Sequence, residues 1–387
     1  MNDVEIAFGF DAIARLHALW SVAVSQTGGG GAFEQFELVR AAAQLAERRG
    51  GTPMVAVFRR EGRAAALLPL RHERLLGARA AVPLVHPLAQ YTDVAGAPLR
   101  PDELTRLADL LRRHGTDVLL LYKVRHDGGL HEALDKHAQS QGAGQTAYYI
   151  DLARYGSFAR YETSFSSRTR RNRRQRLQRL ETAAGPLTFE VLRGEDASAA
   201  FDTAVGWKQR WLSERGFSSP VFDSTGWESL LRDIVRAGDA IVTALCARSG
   251  PIAVEVGFQD RTTYIAYMGA FDEALSRFSP GQEQMLRTIA WCFAQGFSRY
   301  DLLAPADDYK RQWARVGTGV AIDDYAVALT HVGRGVAELR RHVRPLARDL
   351  YHKLPPEVRD AGGRYGRPAA AFMAAAAAAS AMIVAME

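Results

Sequence analysis

Short apolar runs recur along the whole chain, and they fall into two sets. In the first half they lie at 4–8, 54–58, 64–71, 80–85, 91–95, 118–122 and 147–152. Each is too short for an ordinary helix and is bounded by turn residues, which predicts strands. The charged, glycine-containing turn Arg60-Glu61-Gly62 predicts a hairpin between the second and third runs. Apolar residues at helical spacing predict helices over 11–23, 33–49, 101–114 and 130–141. Pro101 suits a first helical turn, and Asp102 and Glu103 suit the dipole there. Gly28 to Gly31 are not followed by the Lys and Ser/Thr of a phosphate-binding loop, so they predict a plain connection.

In the second half the pattern predicts strands over 188–192, 240–247, 252–258, 263–270, 298–303 and 321–330. Helices are predicted over 158–182, 197–214, 226–237, 280–295 and 333–353. Arg248-Ser249-Gly250 and Gln259-Asp260-Arg261 are turns, so 240–270 predicts an antiparallel meander. Both halves then run helices, meander, helix, strand. A repeat of about 150 residues is too long for a solenoid and predicts a duplicated α/β domain with mixed sheets. The expected division is 1–152, 153–332, and a C-terminal helix with an alanine-rich tail over 333–387.

Composition changes this picture in four places. A length of 387 residues accommodates two domains, and a formal net charge of +6 favours an anionic partner without choosing one. Cys246 and Cys292 show no C-x-x-C spacing and the histidines form no H-x-x-x-H pair, so free buried thiols and no metal are expected. Residues 1–10 carry Asp3 and Glu5 instead of a basic, then apolar, leader, which predicts a cytoplasmic protein. Residues 369–386 are uncharged but dominated by alanine, which drives membrane insertion weakly. The tail is expected to be a docked or frayed helix or a disordered segment, with a tail anchor or a surface-lying helix at the inner membrane face as the alternative.

Three groups of residues carry candidate chemistry. Ser279-Pro280-Gly281 follows a predicted strand and opens a predicted helix. Free N–H groups and the dipole at a helix start make an anion site, and Gly281 lets a ligand approach the backbone. An ordinary cap explains the same three residues. Arg168, Arg170, Arg171, Arg173, Arg174, Arg176 and Arg179 crowd one predicted helix, with no apolar stripe before Leu177 and Leu180. Such a helix is either solvated or in contact with phosphate, for which the guanidinium fork is suited. Arg170, Arg173 and Arg174 are the expected contacts with an anionic ligand. Trp207 and Trp211 share a helical face, which fits core packing or a platform for a sugar ring at Trp211.

Ser279-Pro280-Gly281-Gln282, Ala290-Trp291, Gly296, Tyr300-Asp301-Leu302 and Tyr309-Lys310-Arg311-Gln312-Trp313 together resemble the C-terminal core of the CelD-like acetyltransferases. These are the cellulose- and exopolysaccharide-associated branch of the GNAT superfamily. They are related to the FemABX peptidyltransferases, which carry two GNAT-like domains in tandem. Residues 168–180, 65–71 and 91–94 are also similar to that family. The resemblance implies two splayed parallel strands, here 263–270 and 298–303, with the pantetheine arm of acyl-CoA between them. It implies donor pyrophosphate on the following helix, at Arg277, Ser279, Pro280, Gly281 and Gln282. The usual Q/R-x-x-G-x-G/A signature is replaced by Phe278-Ser279-Pro280-Gly281-Gln282.

The family also implies an oxyanion hole of backbone N–H groups on the meander strand. Acyl transfer needs a base besides. Glu255, midway along an apolar strand, and Asp301, at the end of another, are the candidates. Lys310 would stabilise negative charge, and Tyr309 would protonate the leaving thiolate. Tyr91 and Asp93 would line the acceptor cleft, with Tyr267 and Trp211 as further contacts. The implied activity is acyl-CoA-dependent transfer, chiefly of acetyl, to a sugar, polysaccharide precursor or amine. Two alternatives stay open: an aminoacyl-tRNA-dependent FemABX-type transferase, and a non-catalytic accessory protein of polysaccharide synthesis. DNA is not an expected partner.

Overall fold

The computed structural model describes residues 3–26, 31–141, 144–217, 219–315 and 318–353. Most of the glycine loop and all of the alanine-rich tail lie outside the described residues. The chain forms two compact units. One comprises Met1–Gly144, Leu212–Asp223 and Ala321–Glu387; the other comprises Gln145–Trp211 and Ser224–Val320.

The first unit opens with β1 (Asp3–Phe8), β2 (Thr52–Arg60), β3 (Arg63–Leu75), β4 (Ala78–Pro83), the short β5 (Ala95–Gly96), β6 (Val118–Arg125) and the short β7 (Gln139–Ser140). The second holds β8 (Gln145–Asp151), β9 (Thr188–Leu192), β10 (Ile241–Ala247), β11 (Gly250–Asp260), β12 (Thr263–Phe271) and β13 (Arg299–Asp301). The last strand, β14 (Gly319–Ala328), belongs to the first unit from Ala321 onward.

The first unit's sheet runs β1-β2-β3-β4-β6-β14, antiparallel except for the parallel pair β4–β6. The second unit's sheet runs β9-β10-β11-β12-β13-β8, antiparallel except for the parallel pair β12–β13. Each unit therefore has four antiparallel strands, one parallel step and a final antiparallel strand. The duplication expected from the sequence is present as mixed α/β architecture. The final antiparallel strand of each sheet comes from the other half of the sequence, since β8 belongs to the second unit and β14 mostly to the first, which departs from the division expected at 152 and 332.

Local sequence explains the elements. Arg60 pairs with Arg63, leaving Glu61 and Gly62 as a two-residue loop, both at positive φ (52° and 80°). That is the backbone a tight hairpin between right-twisted strands requires. In β2 six consecutive residues, Pro53 to Phe58, are buried, so both faces are covered. One face packs Met54, Phe58, Leu68 and Leu70 against Leu104, Leu107 and Leu111 of helix Pro101–Arg113. The second unit's core centres on Ile150, Tyr161, Tyr264, Ile289, Tyr300 and Trp313.

Several predicted elements are shorter than expected. The strand predicted over 91–95 is mostly irregular, because Asp93 Oδ1 and Oδ2 accept from the N–H groups of Val94 and Gly129 and hold a turn. The helix predicted over 158–182 breaks into Phe158–Thr163 and Ser167–Ala184. Ser166 starts the second piece by accepting from the Thr169 N–H at 3.1 Å. The strand predicted over 298–303 stops at Asp301. Tyr309 and its neighbours form a helix, Asp308–Ala314, that the apolar pattern did not predict; Asp307 caps it through the Lys310 N–H at 2.7 Å.

Candidate active site

The site is built on the second unit's parallel step. β12 pairs with β13 only over Thr263–Ile265 and Arg299–Asp301. Beyond Ile265 that edge of β12 has no strand partner among the described residues, while its other edge continues on β11 to Phe271. A bulge between Val256 and Gly257 of β11 sets Tyr267 between the pairs Gly257–Ala266 and Val256–Met268. Bulges re-aim side chains and backbone next to sites. The Tyr267 ring meets Phe258 edge-on, with centroids 5.2 Å apart.

Helix Pro280–Ala294 follows β12 after a short 3-10 helix, Glu273–Phe278. Ser279 sits in the left-handed region (φ 55°) and its side chain does not cap the helix. Pro280 takes the first helical position, where its missing N–H costs nothing. The N–H groups of this first turn have no intrahelical acceptor by construction. A Cβ on Gly281 would lie 3.2 Å from the Phe271 ring, so glycine keeps strand and helix close. Arg277 lies with its guanidinium 4.6 Å from the Phe278 ring.

The arginine helix Ser167–Ala184 presents Arg173 and Arg176 to a cleft also lined by Phe278, Ser279, Gln282 and Glu283. The Arg173 guanidinium stacks 4.0 Å from Phe165 and 4.4 Å from Trp313. Its Nη1 is buried with no hydrogen-bond partner among the described residues. Burial lowers the Arg173 pKa, with Tyr161 opposing that shift. A buried donor without an acceptor is costly, and an anion in the cleft would remove that cost. Glu283, on the same cleft, is turned to Arg287 at 2.8 Å. Arg170 is half-buried and Arg174 exposed; neither lines this cleft.

The expected catalytic group does not assemble as a cluster around an open cleft. Glu255 is 5% exposed and points into the core. Its Oε1 accepts from Tyr264 Oη at 3.0 Å, and both its oxygens accept from Tyr300 Oη, at 2.8 and 2.7 Å. The two tyrosine rings stack 5.2 Å apart. Burial pushes the Glu255 pKa up to about 7, against the lowering effect of the two phenols. Asp301 is also buried and accepts from the Leu303 N–H at 2.7 Å, closing the turn in which Leu303 has φ 60°. Lys310 donates from Nζ to the carbonyls of Leu303 and Pro305, each at 3.0 Å, and burial lowers its pKa. These two residues hold the segment that leaves β13. Tyr309 is 40% exposed, and its hydroxyl reaches Met285 Sδ at 3.0 Å.

Tyr91 and Asp93 belong to the first unit and are engaged there. Arg125 lies 4.7 Å over the Tyr91 ring, and Asp93 is the turn-holding carboxylate described above, its pKa raised by burial. Trp211 carries the Lys208 ammonium 4.4 Å over its ring. The sequence did not single out Tyr264 as Glu255's partner, nor Phe165 and Trp313 as the Arg173 sandwich. Alternation along β12 and the aromatic content around the arginine run were the only signals available. Cys246 and Cys292 are free and buried. Among the described residues no three His, Cys, Asp or Glu gather in metal-binding reach, and no helix is long and apolar enough to cross a membrane.

Residues 167–311 match the family described as an acetyltransferase (GNAT) domain. The chain thus carries an acyltransferase domain of the GNAT type, and the matched segment runs from the arginine helix through Lys310. Among solved structures the chain is similar to FemX at 10% identity and a TM-score of 0.59, with 84% of this chain and 98% of that one covered. It is similar to the C-terminal domain of a putative lysylphosphatidylglycerol synthetase from Agrobacterium fabrum at 13% identity and a TM-score of 0.52, covering 84% and 96%. A conserved protein of unknown function from Bacteroides thetaiotaomicron gives 10% identity and a TM-score of 0.53, covering 84% and 100%. At these identities the likeness concerns the fold. Comparison with curated proteins gives no match.

Proposed function

We propose that the protein is an acyl-CoA-dependent acyltransferase whose donor lies along the open edge of β12 and ends on helix Pro280–Ala294. The observation that carries this is the early end of the β12–β13 pairing, next to a helix start that faces a buried arginine nitrogen without a partner. The free edge offers backbone N–H groups to the thioester oxygen. The first helical turn and Arg173 offer donors to a pyrophosphate.

Attack by an acceptor amine or hydroxyl forms a C–N or C–O bond at the thioester carbon and then breaks the C–S bond. Tyr309, partly exposed beside this region, is the group we assign to protonate the departing thiolate, and the proton that the acceptor nitrogen or oxygen loses passes to solvent, from which the phenol is reprotonated. Glu255 and Asp301, both closed off, act here as positioning residues, and Lys310 joins them through the carbonyls it holds. The resemblance to CelD-like enzymes supports a sugar or polysaccharide precursor as acceptor.

Thermal unfolding with and without coenzyme A tests the donor. At about a hundred times its dissociation constant a ligand adds about 2.7 kcal/mol to the folded state, which moves a domain of this size by several degrees. No shift at millimolar coenzyme A, beyond that given by sulfate at equal ionic strength, refutes the donor assignment.

A second reading is supported by the arginine helix. Arg168, Arg171, Arg174 and Arg179 are exposed and make no ion pair among the described residues. An RNA-borne aminoacyl donor would use such a face. Copurifying tRNA whose binding falls steeply with salt would favour it over acyl-CoA.

A further inference from the structure

Apart from the cleft at Ser279, the second unit holds a cavity of about 220 Å³ lined by Trp207, Lys208, Trp211, Gly269, Phe271 and Glu273. Trp207 and Trp211 stand one turn apart on helix Ser198–Glu214, so their indoles face the same way. Lys208, one position on, lies with its ammonium 4.4 Å over the Trp211 ring. The lysine is half-buried, and burial lowers its pKa. It forms no ion pair among the described residues. Opposite, β12 contributes Gly269, which is exposed, and no atom lies within 4 Å of where its Cβ would stand. The floor is thus open backbone.

The chemistry of this lining is specific. A partly desolvated ammonium on an indole face lacks a counter-ion, and an anionic group would complete it. Two indoles offer flat apolar surface to a ring. The volume is below the roughly 300–1,000 Å³ of pockets that enclose drug-sized ligands, so one ring fits and an oligosaccharide does not.

We propose that this cavity is the acceptor subsite and that the acceptor is a ring-bearing carboxylate, its ring on Trp207 and Trp211 and its carboxylate on Lys208. The word acceptor rests on the acyl-transfer reading; the binding itself does not. A sugar acid and an aromatic acid share this chemistry, and the test separates them.

The full-length protein is titrated calorimetrically with glucuronate, glucose, benzoate and benzyl alcohol. At least one acid is expected to bind at millimolar concentration or below, roughly tenfold more tightly than its neutral counterpart. Glucuronate binding assigns a sugar acid, and benzoate binding an aromatic one. Lys208→Gln should erase the preference for the acid, while Trp207→Ala weakens acid and neutral ligand together. Gly269→Leu, which projects into open space, should block binding with little change in melting temperature. The proposal is overturned if neither acid binds, if the neutral compounds bind as tightly, or if Lys208→Gln keeps the preference. Coenzyme A separates the two ideas. Coenzyme A stabilising the protein while neither acid binds sinks the subsite alone. Lys208-dependent acid binding without any coenzyme A effect sinks the acyl-CoA reading alone.

Discussion

Glu255→Gln should abolish a pH dependence of stability that the wild type carries between pH 5 and pH 8. The carboxyl sits in the core with a pKa of about 7, against 4.5 for the free group, because burial disfavours its charged form. Below pH 4.5 the folded and unfolded chains are both protonated there, and the stabilisation is complete. Between 4.5 and 7 the folded chain keeps a proton that the unfolded chain has released, so stability falls as pH rises. Above 7 both have released it and the contribution is gone. A gap of about 2.5 units at 1.36 kcal/mol each gives about 3 kcal/mol. Glutamine keeps an acceptor for Tyr264 and Tyr300 but cannot ionise. The assay is urea unfolding followed by indole fluorescence at pH 5, 6, 7 and 8. Five of the six tryptophans, Trp207, Trp211, Trp227, Trp291 and Trp313, lie in the second unit and only Trp20 in the first, so the signal reports chiefly on the unit that holds Glu255. The stability of Glu255→Gln relative to wild type should rise by about 3 kcal/mol across that range. Tyr300→Phe, which removes a phenol that lowers the carboxyl's pKa, should move the wild-type decline to higher pH. A wild-type minus variant difference that stays constant from pH 5 to pH 8 refutes the reasoning.

Two further substitutions test the packing and the anion site. A Cβ on Gly257 would overlap the Tyr264 ring, which has no exposed surface, so Gly257→Ala should cost at least about 1–3 kcal/mol, and wild-type stability by urea unfolding would contradict that geometry. Arg173→Ala removes the buried donor that faces the Ser279 cleft, so the coenzyme A melting shift should shrink in line with a loss of about 1.5–3 kcal/mol of binding, the value of a hydrogen bond to a charged group. An unchanged shift would place the pyrophosphate elsewhere.

Strand positions, the meander of the second unit and the helix that opens at Pro280 were legible because each is a local pattern: alternation, a turn residue, a cap. Strand ownership was not legible. β8 and β14 each follow one half in sequence and complete the other half's sheet, and nothing within seven or ten residues records which neighbour a strand will pair with. The same limit applied to chemistry. Glu255 in an apolar strand was compatible with a cleft or with the polar face of a half-exposed strand, and it is neither. Only the register that brings Tyr264 and Tyr300 to its carboxyl decides for the core. Asp301 and Lys310 were recognisable as polar residues at a strand end, but their partners are the Leu303 N–H and the carbonyls of Leu303 and Pro305. The sequence places those groups nearby without showing their direction. Arg173 differs from its six neighbours only through Phe165 and Trp313, the latter 140 positions away along the chain.

The polar residues beneath helix Pro280–Ala294 would give the proposed donor site its direction. Gln284 is buried and donates from Nε2 to Thr243 Oγ1 on β10 and Thr288 Oγ1 one turn on, each at 2.8 Å; the two hydroxyls meet at 2.9 Å. In the β10–β11 ladder Thr243 stands opposite Glu255, whose carboxyl takes the phenols of β12 and β13. The helix and four strands are thereby joined by hydrogen bonds within one buried layer. Apolar packing alone tolerates sliding of a helix over a sheet by a fraction of a turn, because dispersion contacts are non-directional and replaceable. Hydrogen bonds in a low-dielectric interior do not, since a shift leaves buried donors without acceptors. The N–H groups of the first helical turn can serve an anion only if they point at a fixed place relative to the free edge of β12. A polar layer that locks the helix to the sheet is therefore a condition for the proposed site, and it accounts for a carboxyl, two tyrosine and two threonine hydroxyls and an amide being held where leucine and valine would pack with less constraint.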